Sequence, residues 1–305
     1  MGDASAPLCA ESARDRGDPI VGTALHLSRL LLIEHPGPWP FHALESEGVV
    51  DVVPALVEAT RAAEGRTFLI RRTGRREPTE RRAWAVVDVD AGRIRWGTWT
   101  EPSDLVATAV PTLAASSEDW TSEPAFLVCA HGRHDTCCAV RGRPVAAALA
   151  ERWPDATWES SHVGGDRFAP NVVIVPDGTY YGALEEESVV DVIGDHLAGR
   201  VRAEYVRGSS ALPPVAQAVA VAGLRRWGPA APRSVIGHDC RQLDDRTWQV
   251  RLTATVPLPA VFEATVSAVA APAAVLTCRA PRATSARRFE VSALRAVEAP
   301  SAPVG

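Results

Sequence analysis

Two short loops constrain this chain of 305 residues more than any other feature. CAHGRHDTCC sets Cys129 and Cys138 nine residues apart, and SHVGGDRFAP sets His162 and Asp166 four apart. If both loops serve one centre, the strands that deliver them must lie side by side with the loops at the same end. Two soft thiolates with an imidazole and a carboxylate suit zinc or iron, not calcium or magnesium. Gly132 in the first loop and Gly164-Gly165 in the second allow tight turns and close approach of backbone to a bound group. Taken singly, Cys129 at a strand end reads as core and His162 as a structural histidine. Three cysteines within ten residues, joined to a Gly-flanked histidine, read together as a site.

The pattern around the loops predicts a mixed α/β (α+β) fold. Residues 125–129 are an apolar run that brings Cys129 to the carboxyl end of a strand. Residues 143–153 follow with Val145, Leu149 and Trp153 on one helical face and Pro144 in the expected first turn. Residues 157–160 form the next strand, 171–175 and 179–182 a hairpin about Pro176-Asp177-Gly178, and 185–198 a helix with an acidic first turn and Gly199 at its end. With a short helix in the second loop this is the thioredoxin element order. All four candidate ligands then sit at the carboxyl ends of strands, where open α/β sheets hold their ligands.

Upstream, 30–33, 53–63, 67–71, 83–89 and 94–100 give a strand, a helix and further strands, so a related α/β half precedes the thioredoxin-like unit, although no residue motif repeats. Downstream, 248–256, 261–269, 274–278 and 289–294 are β-like. The expected organisation is a flexible tail over 1–18, an N-terminal α/β domain over 19–119, the thioredoxin-like domain over 120–205, a β-rich C-terminal segment over 206–298 and a disordered tail over 299–305. The polar stretch 116–124 is the expected boundary between halves.

A chain this long exceeds what one hydrophobic core usually supports. Its 46% hydrophobic and 23% charged residues are those of a globular protein. A net charge of -5 and a pI near 5.9 argue against nucleic-acid or anionic-membrane partners. The first residues lack a basic stretch followed by an apolar core, and no run approaches a membrane span, so a cytoplasmic location is expected. In a reducing compartment, the crowding of Cys129, Cys137 and Cys138 points to metal or redox chemistry, not to a disulfide framework. Cys9, Cys240 and Cys278 stand alone and read as small buried hydrophobes.

Other chemistries leave traces. Cys137-Cys138 is a vicinal pair and not Cys-x-x-Cys, so thioredoxin-type dithiol exchange lacks its usual geometry. His131, His134 and Asp135 beside these thiols would suit a thiol-reactive enzyme using Cys137 or Cys138, against which stands a plain Arg133–Asp135 pair that pins the loop. Zinc can be held by two Cys, one His and one Asp. Gly164-Gly165 lacks the later glycine of a dinucleotide fingerprint.

Residues 126–182, with CAHGRHDTCC, RGRP and SSHVGGDRFAPNVVIVPDGTYYG, resemble the sucrase/ferredoxin-like family of thioredoxin-fold [2Fe-2S] proteins. LLLIE, HPGPW and GTA at 22–24 are similar to the N-terminal half of its bacterial members, so the resemblance spans roughly residues 9–200. It implies a [2Fe-2S] cluster held by a Cys-x8-Cys pair and a His-x3-His pair, which Cys129, Cys138 and His162 match. Asp166 stands where the pattern has its second histidine. The resemblance therefore leaves Asp166 as a ligand, Cys137 as its substitute, or His131 or His134 brought in from the first loop. It implies a non-catalytic electron carrier in the 120–205 domain, working with a redox partner protein, a reductase or an oxidase. The alternative on the same fold is a zinc-stabilised binding or structural protein. The family's mixed name also suggests sucrose hydrolysis, which needs two carboxyl groups across a sugar pocket. Glu185, Glu186 and Glu187 are consecutive and read instead as a favourable helix N-terminus.

Overall fold

The computed structural model describes residues 7–74, 80–115 and 119–298. The tail expected over 299–305, and residues 116–118 of the expected boundary, lie outside the described residues. In chain order come helix α1 (Cys9–Asp15), strand β1 (Arg29–Glu34), helix α2 (Val53–Ala62) and strands β2 (Gly65–Arg71), β3 (Arg82–Asp88) and β4 (Arg93–Trp99). Two single helical turns, α3 (Pro102–Asp104) and α4 (Val110–Thr112), flank a π-helical turn at Leu105–Ala109. The second half holds β5 (Ala125–Cys129), α5 (Thr136–Arg152), β6 (Thr157–Ser160), β7 (Val172–Val175), β8 (Thr179–Tyr181), α6 (Glu186–Leu197), β9 (Val206–Ser209) and α7 (Pro214–Trp227). Four longer strands close the chain: β10 (Val235–Asp244), β11 (Thr247–Ala254), β12 (Val261–Ala270) and β13 (Arg287–Ala296).

Nine strands form one sheet in the order β4-β3-β1-β2-β6-β5-β7-β8-β9. In the first half β1 is parallel to β2 and antiparallel to β3, which pairs antiparallel with β4. In the second, β5 is parallel to β6 and antiparallel to β7, which pairs antiparallel with β8. The two halves thus repeat one strand order and one polarity, so the related halves expected from element order are visible in the topology. They meet where β2 and β6 pair antiparallel at Ile70–Ser160 and Arg71–Glu159, and the latter pair adds a salt bridge of 2.6 Å. The order β6-β5-β7-β8 is thioredoxin-like, with a single 3-10 turn at Asp166–Phe168 where a helix would lie. Every residue of β5, β6, β7 and β8 is buried, as expected for strands covered on both faces.

Four features depart from the sequence reading. Helix α5 begins at Thr136, not 143, so Pro144 lies inside the helix and Cys137 and Cys138 occupy its first turn. Residues 9–15, read as part of a tail, form a helix that buries Cys9, Ala10 and Ala13. That stripe is too short and small-residued to stand out in a polar segment. Helix α7 and strands β9 and β10 had no counterpart in the pattern, and β10 is exposed along most of its length. The β-like residues 274–278 form no strand and contribute only an isolated bridge between Ala274 and Thr284. The C-terminal strands make their own antiparallel sheet, β10-β11-β12-β13, whose apolar face packs on α7 through Val250, Leu252, Phe262 and Val266. No described helix is long and apolar enough to cross a membrane.

Candidate metal centre

The carboxyl end of β5 delivers Cys129, and the chain turns at once into α5. Asp135 caps that helix by accepting the Cys137 N–H at 2.8 Å, which fixes the first turn and with it Cys138. Gly142 sets how closely α5 lies on the strand end, because a Cβ there would meet the Cys129 carbonyl oxygen at 2.1 Å. The loop after β6 supplies His162, and the 3-10 turn supplies Asp166.

The four residues singled out from the sequence converge. The ligand atoms of Cys129, Cys138 and His162 all lie within 4.8 Å of one another, as do those of His134, His162 and Asp166, and those of Asp135, Cys138 and Asp166. The Cys138 thiol donates to Asp166 Oδ1 at 3.4 Å, and His162 Nδ1 stands 3.0 Å from the same oxygen. That second approach is one of charges and not an aligned bond, since His162 Nδ1 is buried with no hydrogen-bond partner. Cys129 and Cys138 are fully buried and Asp166 nearly so.

Charge is strongly redistributed among these groups. The Cys129 thiol is held well below its ordinary range by the bond from Cys138, against burial, with help from His162 and the Val163 N–H. Cys138, which donates to that thiolate and is itself buried, is pushed far up and keeps its proton. Burial alone would lower the His162 imidazole, but Asp166 and the Cys129 thiolate outweigh it and raise it to about 9. Burial would raise Asp166, and His162 and Cys138 hold it down instead. The four groups thus bias one another, Cys129 toward thiolate, Cys138 toward thiol, His162 toward imidazolium and Asp166 toward carboxylate.

Two further histidines frame it. His131 Nε2 is 2.7 Å from the Pro40 carbonyl oxygen, and its ring meets Trp39 edge-on at 5.7 Å, so it ties the first loop to the N-terminal half. His134 lies flat on His162, with centroids 3.9 Å apart and planes 18° apart. Of the two histidines considered in place of the missing one, His134 is the one grouped with His162 and Asp166. Cys137 points elsewhere. One helical residue turns a side chain by about 100°, and Cys137 meets Cys9 and Cys278 on the far side of the turn. Asp135, considered as a partner of Arg133, uses its oxygens as acceptors for the Cys137 and Cys278 N–H groups.

The second loop rests on a residue that the sequence pattern did not single out. The guanidinium of Arg207 on β9 is almost wholly buried beneath it and donates to the Gly164 carbonyl oxygen at 2.9 Å, Asn171 Oδ1 at 2.8 Å and the Thr23 carbonyl oxygen at 2.6 Å. Burial lowers its ionisation to about 10. Asn171 returns a bond to the Gly165 carbonyl oxygen at 2.9 Å. Gly165 has φ +79°, and a Cβ there would meet the Arg207 guanidinium at 2.5 Å. A lone arginine in a strand carries no periodic signal in the sequence. Glu185, Glu186 and Glu187 do open helix α6, and Glu185 pairs with Arg14.

Among families of known proteins, the sucrase/ferredoxin-like model matches residues 20–208, well over half of the chain. No curated protein matches. Similar solved structures include the thioredoxin-like [2Fe-2S] ferredoxin from Aquifex aeolicus, at 24% identity over 30% of this chain and 94% of that one, with a TM-score of 0.25. Two cysteine-to-serine variants of that ferredoxin match at 24% identity over 28% of this chain and 97% of theirs, with TM-scores of 0.24.

Proposed function

The chain belongs to the sucrase/ferredoxin-like family, and from that premise we propose that it is an electron-transfer protein whose second half carries a [2Fe-2S] cluster. The observation that carries this reading is the convergence of Cys129, Cys138 and His162 within 4.8 Å at the end of β5, with His134 and Asp166 beside them. The donor set fits such a group: two thiols, one of them biased toward thiolate, and an imidazole whose Nδ1 is buried without a hydrogen-bond partner. Cys129 and Cys138 are the thiolate ligands and His162 the imidazole ligand. Asp166 or the stacked His134 completes the set.

Bound there, the cluster would supply reversible transfer of one electron, and its potential would follow the net charge and hydrogen bonding that the protein arranges around it. The residues of this chain have definable tasks. Gly142 and the Asp135 cap hold Cys138 against Cys129. Arg207 and Asn171 hold the loop that carries His162 and Asp166. Burial excludes water from both thiols. A redox partner protein, a reductase or an oxidase, completes the proposal. The test is a reductive titration of the anaerobically purified chain, which should show one reversible one-electron step per chain that Cys129→Ser abolishes.

A zinc ion on the same residues is the second reading, favoured by the small span of Cys129, Cys138 and His162, which suits a single tetrahedral ion. It predicts a colourless protein with no redox step and with zinc that is lost on Cys129→Ser.

A further inference from the structure

Three cysteines that stand alone or spare in the sequence come together next to the centre just described, on the side of α5 that Cys137 faces. Cys9 on α1, Cys137 in the first turn of α5 and Cys278 in the segment between β12 and β13 place their sulfurs 3.4, 3.2 and 3.5 Å apart in a nearly equilateral triangle. Asp135 sits beside them, its two carboxylate oxygens 3.8 and 3.9 Å from Cys9 Sγ, and all four ligand atoms lie within 4.8 Å of one another. The segments that meet here are far apart in the chain: Cys9 and Cys278 are 269 residues apart.

We propose that Cys9, Cys137, Cys278 and Asp135 bind one zinc ion, separate from the Cys129–Cys138–His162 centre. Four observations carry this. Soft thiolates select zinc over hard cations, and three thiolates with one carboxylate complete a tetrahedral set. Zn–S bonds of about 2.3 Å place sulfurs about 3.8 Å apart, so the triangle needs to open by only a few tenths of an ångström. Asp135 has no exposed surface, and no lysine, arginine or histidine pairs with it among the described residues; it accepts only N–H groups and a thiol. A buried carboxylate is stabilised by a paired cation, and the three adjacent sulfurs are soft donors that can hold one. The fourth observation is orientation. Asp135 receives the Cys137 N–H at 2.8 Å and the Cys278 N–H at 2.7 Å, and Cys137 Sγ receives the Ala10 N–H at 3.4 Å. These bonds fix the ligands before the ion arrives and leave further lone pairs on the carboxylate and the sulfurs.

A disulfide would engage two of the three sulfurs and strand the third, whereas one ion uses all three. On binding, the thiol protons leave to solvent and no electron moves. The ion would clamp α1, α5 and the 271–286 segment, whose own backbone ties include the bridge between Ala274 and Thr284 and bonds from the Ala271 N–H to the Ala286 carbonyl oxygen and from the Ala280 N–H to the Thr277 carbonyl oxygen.

The test is a metal count on the full chain purified without added metal and then loaded with zinc and dialysed. One zinc ion per chain should remain, be lost in Cys9→Ser and in Cys278→Ser, and persist in Cys129→Ser. Those two losing variants should keep whatever iron the first centre holds, which separates this proposal from the cluster reading. Because a variant can lose metal by failing to fold, cobalt(II) is substituted into the unmodified chain, and zinc-edge absorption counts the ligands. Intense tetrahedral cobalt bands with thiolate charge transfer, and three sulfur neighbours at about 2.3 Å, are expected. A chain that retains no zinc, a disulfide between any two of these cysteines in the freshly purified protein, or zinc that survives Cys278→Ser and disappears in Cys129→Ser would overturn the proposal.

Discussion

Cys137 and Cys138 are joined by one peptide bond and serve opposite sides of a helix turn. Cys138 Sγ reaches Asp166 at 3.4 Å, while Cys137 Sγ lies 3.4 Å from Cys9 and 3.2 Å from Cys278. The Asp135 cap produces this division, because it starts α5 at Thr136 and so sets both thiols on a regular turn.

The division predicts a split between neighbouring variants. Cys138→Ser should remove iron and visible absorption from the purified chain, whereas Cys137→Ser should leave both close to the unmodified level. Equal loss in the two variants would mean that Cys137 ligates the first centre.

Asp166 carries negative charge beside the centre, held there by His162 and Cys138 against its burial. Asp166→His should therefore raise the midpoint potential, by on the order of 100 mV given the gap between His-ligated and all-Cys centres. An unchanged potential and spectrum would assign the fourth position to His134, whose ring lies on His162, and His134→Ala would then shift both.

The metal-free protein should have a characteristic dependence of stability on pH. His162, raised to about 9, contributes stability that is full below about 6.5 and lost as pH rises through about 9. Cys129, held well below its ordinary value, contributes stability that is present above its unfolded value and lost as pH falls. Between roughly 6.5 and 9 the proton gained by one offsets the proton lost by the other, so this pair gives a plateau. Above about 9 this pair contributes no further change, and Cys138, pushed far up, makes stability fall as pH rises. Urea unfolding of the apo chain at several pH values tests this, with His162→Gln expected to replace the plateau by stability that rises with pH.

Arg207 should matter for both stability and the centre. Arg207→Met leaves the Gly164 carbonyl oxygen, Asn171 and the Thr23 carbonyl oxygen without their donor, at a cost of about 2–4 kcal/mol. Urea unfolding measures the first effect. Loss of metal at full protein yield would register the second, since the His162–Asp166 loop rests on this guanidinium.

Much of this was readable in the chain. Strand β5 falls where its apolar run places it, because a strand buried on both faces is apolar throughout. Cys129, Cys138, His162 and Asp166 meet because their loops leave the same ends of adjacent parallel strands. Pro144 lies inside α5 and does not mark its start. Proline is common at helix starts, but here the start is set by Asp135, eight residues of helix earlier than Pro144. Cys9 and Cys278 were unreadable for a different reason: nothing local in either segment signals a thiol partner, and their meeting is a product of how α1 and the 271–286 segment fold against α5. Arg207 is similar, one charged residue in a short strand whose role exists only once the Gly164-Gly165 loop lies above it.

The central claim is that Cys129, Cys138 and His162 hold a [2Fe-2S] cluster. Its most direct test is anaerobic purification followed by iron and sulfide analysis, visible absorption and EPR after dithionite reduction. Two iron and two sulfide per chain, with a reduced-state EPR signal that Cys129→Ser abolishes, is the predicted result; a colourless, EPR-silent protein without iron or sulfide would contradict it.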